Sequence, residues 1–176
     1  MKSIQEISAH RNDGWQGQYN RMMRWFNMFR QLNLEEDKSS AKTHEYFDTM
    51  YACFQNIFFL KDWLKQDTSL TAKDLNAFIN ANKEIGICRD ICNGTKHYEL
   101  SDASVDNEFG IIRQYNPHPG VLGNPNSEWE IIICAGGDIY KPVDLISKCI
   151  DLWDCFITDK LNLERKVDNN SNQTPN

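Results

Sequence analysis

The chain has 176 residues, 40% of them hydrophobic and 25% charged, with a net charge of −6. That length is near the common size of one domain and buries a core without staples, and five Trp, six Tyr and nine Phe exclude a disordered body. The acidic balance excludes a surface that clamps nucleic acid all over by phosphate neutralisation, though not a local basic pocket.

Residues 1–14 are polar and contain the turn signal Asn12-Asp13-Gly14. From Trp15 to about Leu34, Trp15, Tyr19, Met22, Met23, Phe26 and Phe29 recur at helical steps and predict a core-facing stripe. Ser39-Ser40 are good helix caps. A long helix follows over 41–66, with Phe47, Met50, Tyr51, Phe54, Ile57, Phe58 and Leu64 on one side. Thr71 and Asp74 have capping-box spacing for a short helix ending near Asn80–Asn82. A fourth helix is predicted from Lys83 to Tyr98.

The pattern then changes. Phe109–Tyr115 reads as a strand, 116–128 as an irregular loop rich in Pro and Gly, and Trp129–Cys134 as a second strand. Gly136-Gly137 supplies the positive φ angles of a tight turn into a third short strand, Asp138–Lys141. Pro142 suits the first turn of a last helix over 142–161, whose apolar side is Val143, Leu145, Ile146, Ile150, Trp153 and Phe156. The Asn-rich stretch 168–176 reads as a disordered tail. The expected fold is mainly α: a bundle of about five helices in one domain over 15–167, with a small antiparallel β hairpin or three-stranded insertion (about 109–141) before the last helix.

No apolar run is long enough to span a bilayer, and Met1-Lys2-Ser3-Ile4-Gln5-Glu6 does not open a signal peptide, so the expected location is the cytoplasm, with no membrane contact. A reducing compartment disfavours disulfides among the six cysteines. Their spacing lacks a paired zinc knuckle. Cys88 and Cys92, four apart and grouped with Ile85 and Ile91, read as buried inert thiols. No metal and no cofactor are expected.

The fourth helix carries the candidate chemistry. At about 100° per residue, with Arg89 at zero, Asn93 falls at about 40°, His97 at about 80°, Asp90 at about 100° and Lys96 at about −20°. These five side chains share roughly a third of the circumference. A solvated polar face is the plain reading of such a pattern. The residue types also suit phosphate chemistry: Arg offers a forked donor pair, Lys a point charge, and His a proton shuttle near neutral pH. Gly86 and Gly94 are poor helix residues, and Gly94 suits either the close approach of a second backbone or a substrate, or an early end to the helix.

A helical bundle with an Arg, a polar residue directly after it and a His further along one helix resembles the HEPN superfamily. The matching positions are Arg89, Asp90 and His97, and the likeness covers about 15–100. The interval from Arg89 to His97 is longer than the family's, and the rival pair Arg113 and His118 falls on a strand running into Pro117 and Pro119. The resemblance implies a metal-independent endoribonuclease of a toxin or phage-defence type, a homodimer, RNA as substrate and an antitoxin-like protein as partner. It implies catalytic roles for Arg89, Asp90, Asn93 and His97, with Lys96 holding a neighbouring phosphate. A non-catalytic interaction or regulatory module is the other function class that this sequence admits. There is no P-loop, paired-histidine zinc motif, serine nucleophile elbow or basic helix-turn-helix.

Overall fold

A computed structural model describes residues 13–34, 40–96, 109–116 and 128–161. Its described residues form five helices and three strands: α1 (Gly14–Leu34), α2 (Ser40–Asp67), α3 (Ala72–Ala81), α4 (Lys83–Lys96), β1 (Gly110–Asn116), β2 (Glu128–Ala135), β3 (Asp138–Tyr140) and α5 (Pro142–Leu161). The mainly helical bundle with a three-stranded antiparallel insertion before its last helix is the architecture that the periodicity predicts. Ser39, the loop 117–127 and the tail from 168 lie outside the described residues. No helix among the described residues is long and apolar enough to cross a membrane.

The long helix α2 contacts every other helix. Met50, Cys53, Phe54, Ile57, Phe58, Leu60 and Leu64 are its buried side, while Asp48, Asp62 and Lys65 stay exposed. Against it, α1 lays Met22, Phe26 and Phe29. Gln18, buried in this seam, donates from Nε2 to the Asn56 carbonyl at 3.0 Å and to Asn56 Oδ1 at 3.1 Å. Trp15 N–H donates to Asp67 Oδ2 at 2.9 Å, so the end of α2 satisfies an amide at the start of α1.

The capping box expected at α3 is formed. Asp74 N–H donates to Thr71 Oγ1 at 3.2 Å, and Thr71 N–H donates to Asp74 Oδ2 at 3.0 Å. Phe78 of α3 stacks on Phe156 (4.3 Å between centroids) and lies 4.6 Å from Trp153, fastening α3 to α5. Tyr19 bonds Asp154 across α1 and α5; burial first, and then that bond, raises the phenol well above its ordinary range.

In the sheet, ordered β1-β2-β3, the centre strand sends Ile131, Ile133 and Ala135 into the helical core. The alternate side carries Ile112 and Ile139, which are 49% and 70% exposed. The β2–β3 turn has φ +58 at Gly136 and +78 at Gly137, which places Ala135 opposite Asp138.

Gly14 and Gly137 give a matched stability test. Both have positive φ, but a Cβ on Gly14 collides with the Asp67 carboxylate, whereas one on Gly137 meets nothing. In urea unfolding, Gly137→Ala is expected to cost about 1–2 kcal/mol, the price of a left-handed conformation. Gly14→Ala is expected to cost clearly more. Equal losses would show that the Asp67 side chain moves aside freely.

Candidate functional site

Helix α4 is enclosed by α2, α3 and α5 at once. Seven of its residues are buried: Ile85, Gly86, Ile87, Cys88, Asp90, Ile91 and Cys92. This narrows the polar face expected from the helical projection. Asp90, which that projection groups with the exposed functional side chains, is only 1% exposed. The part of that face around Asp90 is covered by neighbouring helices, and the members of the expected set whose side chains are described outside the core are Arg89 and Asn93, both half-buried. Lys96 is the last residue of α4, and His97 lies outside the described residues.

Arg89 opens on a cleft of about 600 Å³ formed where α3 turns into α4, with Asn80, Asn82, Lys83, Gly86 and Gly136 on its walls. Its side chain is 31% exposed. Nη1 donates to Asn80 Oδ1 at 3.4 Å, and Nε lies 3.9 Å from Asp90 Oδ1. The guanidinium is thus steadied from two sides while keeping contact with solvent. Lys83 Nζ donates to the Gly136 carbonyl at 2.9 Å and to Asp138 Oδ2 at 2.6 Å. It pins the hairpin turn to the start of α4. The Asp138 bond holds the ammonium above its ordinary pKa, and Lys83 holds the Asp138 carboxyl below its own.

Asn80, Lys83 and Gly136 were not legible as site residues, because they come from three elements and share no spacing. The only local signal was Asn82, whose side chain caps α3 by donating to the Phe78 carbonyl at 2.7 Å and whose carbonyl accepts the Gly86 amide at 3.0 Å.

The thiols expected to be buried are so: Cys88 and Cys92 are fully enclosed, as are Cys53 and Cys149. Cys88 Sγ donates to the Phe54 carbonyl at 3.2 Å, and Cys149 Sγ to the Glu84 carbonyl at 3.4 Å. Burial, followed by hydrogen bonds with Cys149 and Cys92, lifts the Cys88 thiol well above the ordinary range. Burial pushes Cys53 up to about 12. The Cys53 and Cys88 sulfurs are therefore protonated core groups and poor nucleophiles.

No family model, curated protein or solved structure matches the chain.

Two measurements check this geometry. A thiol-reactive dye is expected to label the exposed Cys155 quickly and Cys53, Cys88, Cys92 and Cys149 only on unfolding; fast labelling of Cys88 in the native protein would contradict the burial of α4. In an acid titration, the amide signals of Gly136 and Gly137 should shift as Asp138 protonates. Because the folded carboxyl pKa is lowered, the pair's contribution is present above the unfolded value of about 3.9 and fades as pH falls through the lower folded value. A midpoint at or above about 4 would mean that the Lys83 contact is absent in solution.

Proposed function

We propose that this chain is an HEPN-like protein that cuts RNA as a metal-independent endoribonuclease, acting as a homodimer in the cytoplasm in a toxin or phage-defence role. The observation that carries the reading is Arg89: on a helix enclosed on nearly all sides, its guanidinium reaches a solvent-open cleft. A half-buried, oriented Arg in a polar cleft is suited to phosphate, because its forked donors match phosphate oxygens and partial burial strengthens the contact.

In this mechanism His97 takes the proton of a ribose 2′-hydroxyl, which attacks the adjacent phosphorus, or returns a proton to the leaving oxygen. Arg89 stabilises the charge that develops on the phosphate oxygens. Buried Asp90 is a positioning residue beside the Arg89 Nε. Asn93 orients the pair, and Lys96 holds a neighbouring phosphate. A composite site would be completed by Arg89 and His97 of a second copy, and an antitoxin-like protein is the partner that would cover it. The non-catalytic reading is favoured by the same Asp90, since an Arg beside a buried carboxylate is also a structural pair.

Purified wild type, His97→Ala and Arg89→Lys, each incubated with total RNA with and without a chelator, decide between the two. Cleavage by wild type is expected to survive the chelator, to fall about a hundredfold or more in His97→Ala, and to fall in Arg89→Lys, with melting temperatures nearly unchanged. A wild type that cuts no RNA, together with a His97→Ala protein that loses its fold, would hand the site to the interaction module. A monomer by light scattering would remove the two-copy site.

A further inference from the structure

The Arg89 cleft is lined by residues 79–83 at the α3–α4 corner, by Gly86 and Arg89 of α4, and by Gly136 of the hairpin turn. Two of its polar side chains are turned elsewhere. Lys83 reaches the Gly136 carbonyl and the Asp138 carboxylate, and Asn82 Nδ2 donates to the Phe78 carbonyl. The other polar side chains of the lining are Arg89 and Asn80, and they bond to each other across two helices.

Arg89 has two unlike neighbours. Its Nε lies 3.9 Å from Asp90 Oδ1, an ion pair too long for a good hydrogen bond. Its Nη1 donates to Asn80 Oδ1 at 3.4 Å. Asp90 is 1% exposed, so water screens its charge poorly and it offsets part of the Arg89 charge. A carboxylate at position 80 would offset more of it. An amide oxygen accepts a hydrogen bond without carrying a net charge. It steers the guanidinium and leaves the positive charge to an incoming anion. Nη2 and the second proton of Nη1 are the donors that these two contacts leave over. Position 80 is itself held firmly. It lies in the last turn of α3, which Ile79, 3% exposed, fixes in the core. The Asn80 side chain is exposed, so packing does not account for it.

We infer that Asn80 is a positioning residue of this cleft: from the neighbouring helix it sets the direction of the Arg89 donors without cancelling their charge, and so sets the cleft's affinity for a phosphate-type oxyanion. The inference rests on the phosphate-directed part of the reading above. It adds a residue from α3, which no pattern along α4 contains.

The test titrates inorganic phosphate into the full chain at constant ionic strength and follows the Arg89 Nε–Hε NMR signal, assigned by its loss in Arg89→Gln. In the wild type the signal is expected to shift and saturate. Asn80→Ala should move the signal before any phosphate is added and weaken binding about fivefold, the worth of one hydrogen bond. Asn80→Asp is nearly isosteric and should hold the guanidinium at least as well, yet weaken binding roughly tenfold or more, because it removes net charge. Melting temperatures should stay nearly constant, since the side chain is exposed. If Asn80→Ala fails to fold, Asn80→Asp decides alone. No saturable shift in the wild type, or wild-type affinity in a folded Asn80→Ala or Asn80→Asp protein, overturns the inference. RNA cleavage is assayed on the same samples. Cleavage by the wild type that Asn80→Ala leaves unchanged overturns the role of Asn80 and spares the nuclease reading. Phosphate binding that depends on Asn80, in a wild type that cuts no RNA, supports the role of Asn80 and removes the nuclease reading.

Discussion

The structure depends on the burial of α4 among three other helices. A helix packed on nearly every side must present small or apolar residues almost all round, and α4 does so with Ile85, Gly86, Ile87, Cys88, Ile91 and Cys92. Gly86 and the two thiols keep its bulk low where neighbours press close. The thiols also donate or accept within the core, as Cys88 does toward the Phe54 carbonyl of α2. Arg89 and Asp90 interrupt this pattern. A carboxylate enclosed to 1% exposure is costly to desolvate, and the guanidinium beside it offsets part of that cost. Placing such a pair on the central helix makes the bundle less forgiving there, which is the sense in which the position is specialised.

Toward its two ends, in contrast, α4 borders a cleft on each side among the described residues, and the β insertion furnishes a wall at each. At the start of the helix, Gly136 of the hairpin turn borders the Arg89 cleft and is held by Lys83. Near its end, Phe109, Gly110 and Ile111 border a second groove with Tyr51 of α2. The two walls lie at one end of the sheet, since Gly110 pairs with Cys134, two residues before Gly136. The small sheet is therefore more than an appendage: its register fixes both clefts against one helix. The Gly136-Gly137 turn and the Lys83 bonds are the local features that set this register relative to the bundle.

Much of the fold was legible because its signals are local. The recurrence of Met22, Phe26 and Phe29, or of Met50, Phe54, Ile57 and Leu64, follows from the 3.6-residue turn of a helix and needs no knowledge of what packs on it. Thr71 with Asp74 and Gly136 with Gly137 act within a few residues of themselves. What the tertiary structure alone decided is the environment of each side chain on α4. A helical projection knows only angles. It placed Asp90 beside Asn93, but whether a face meets water or another helix depends on α2, α3 and α5, which come from distant parts of the chain. For the same reason Asn80, Lys83 and Gly136 became neighbours of Arg89, and Tyr51 a neighbour of Phe109, only once the chain had folded: proximity across elements is set by packing, and a single sequence records periodicity and local bonding but not which surfaces meet.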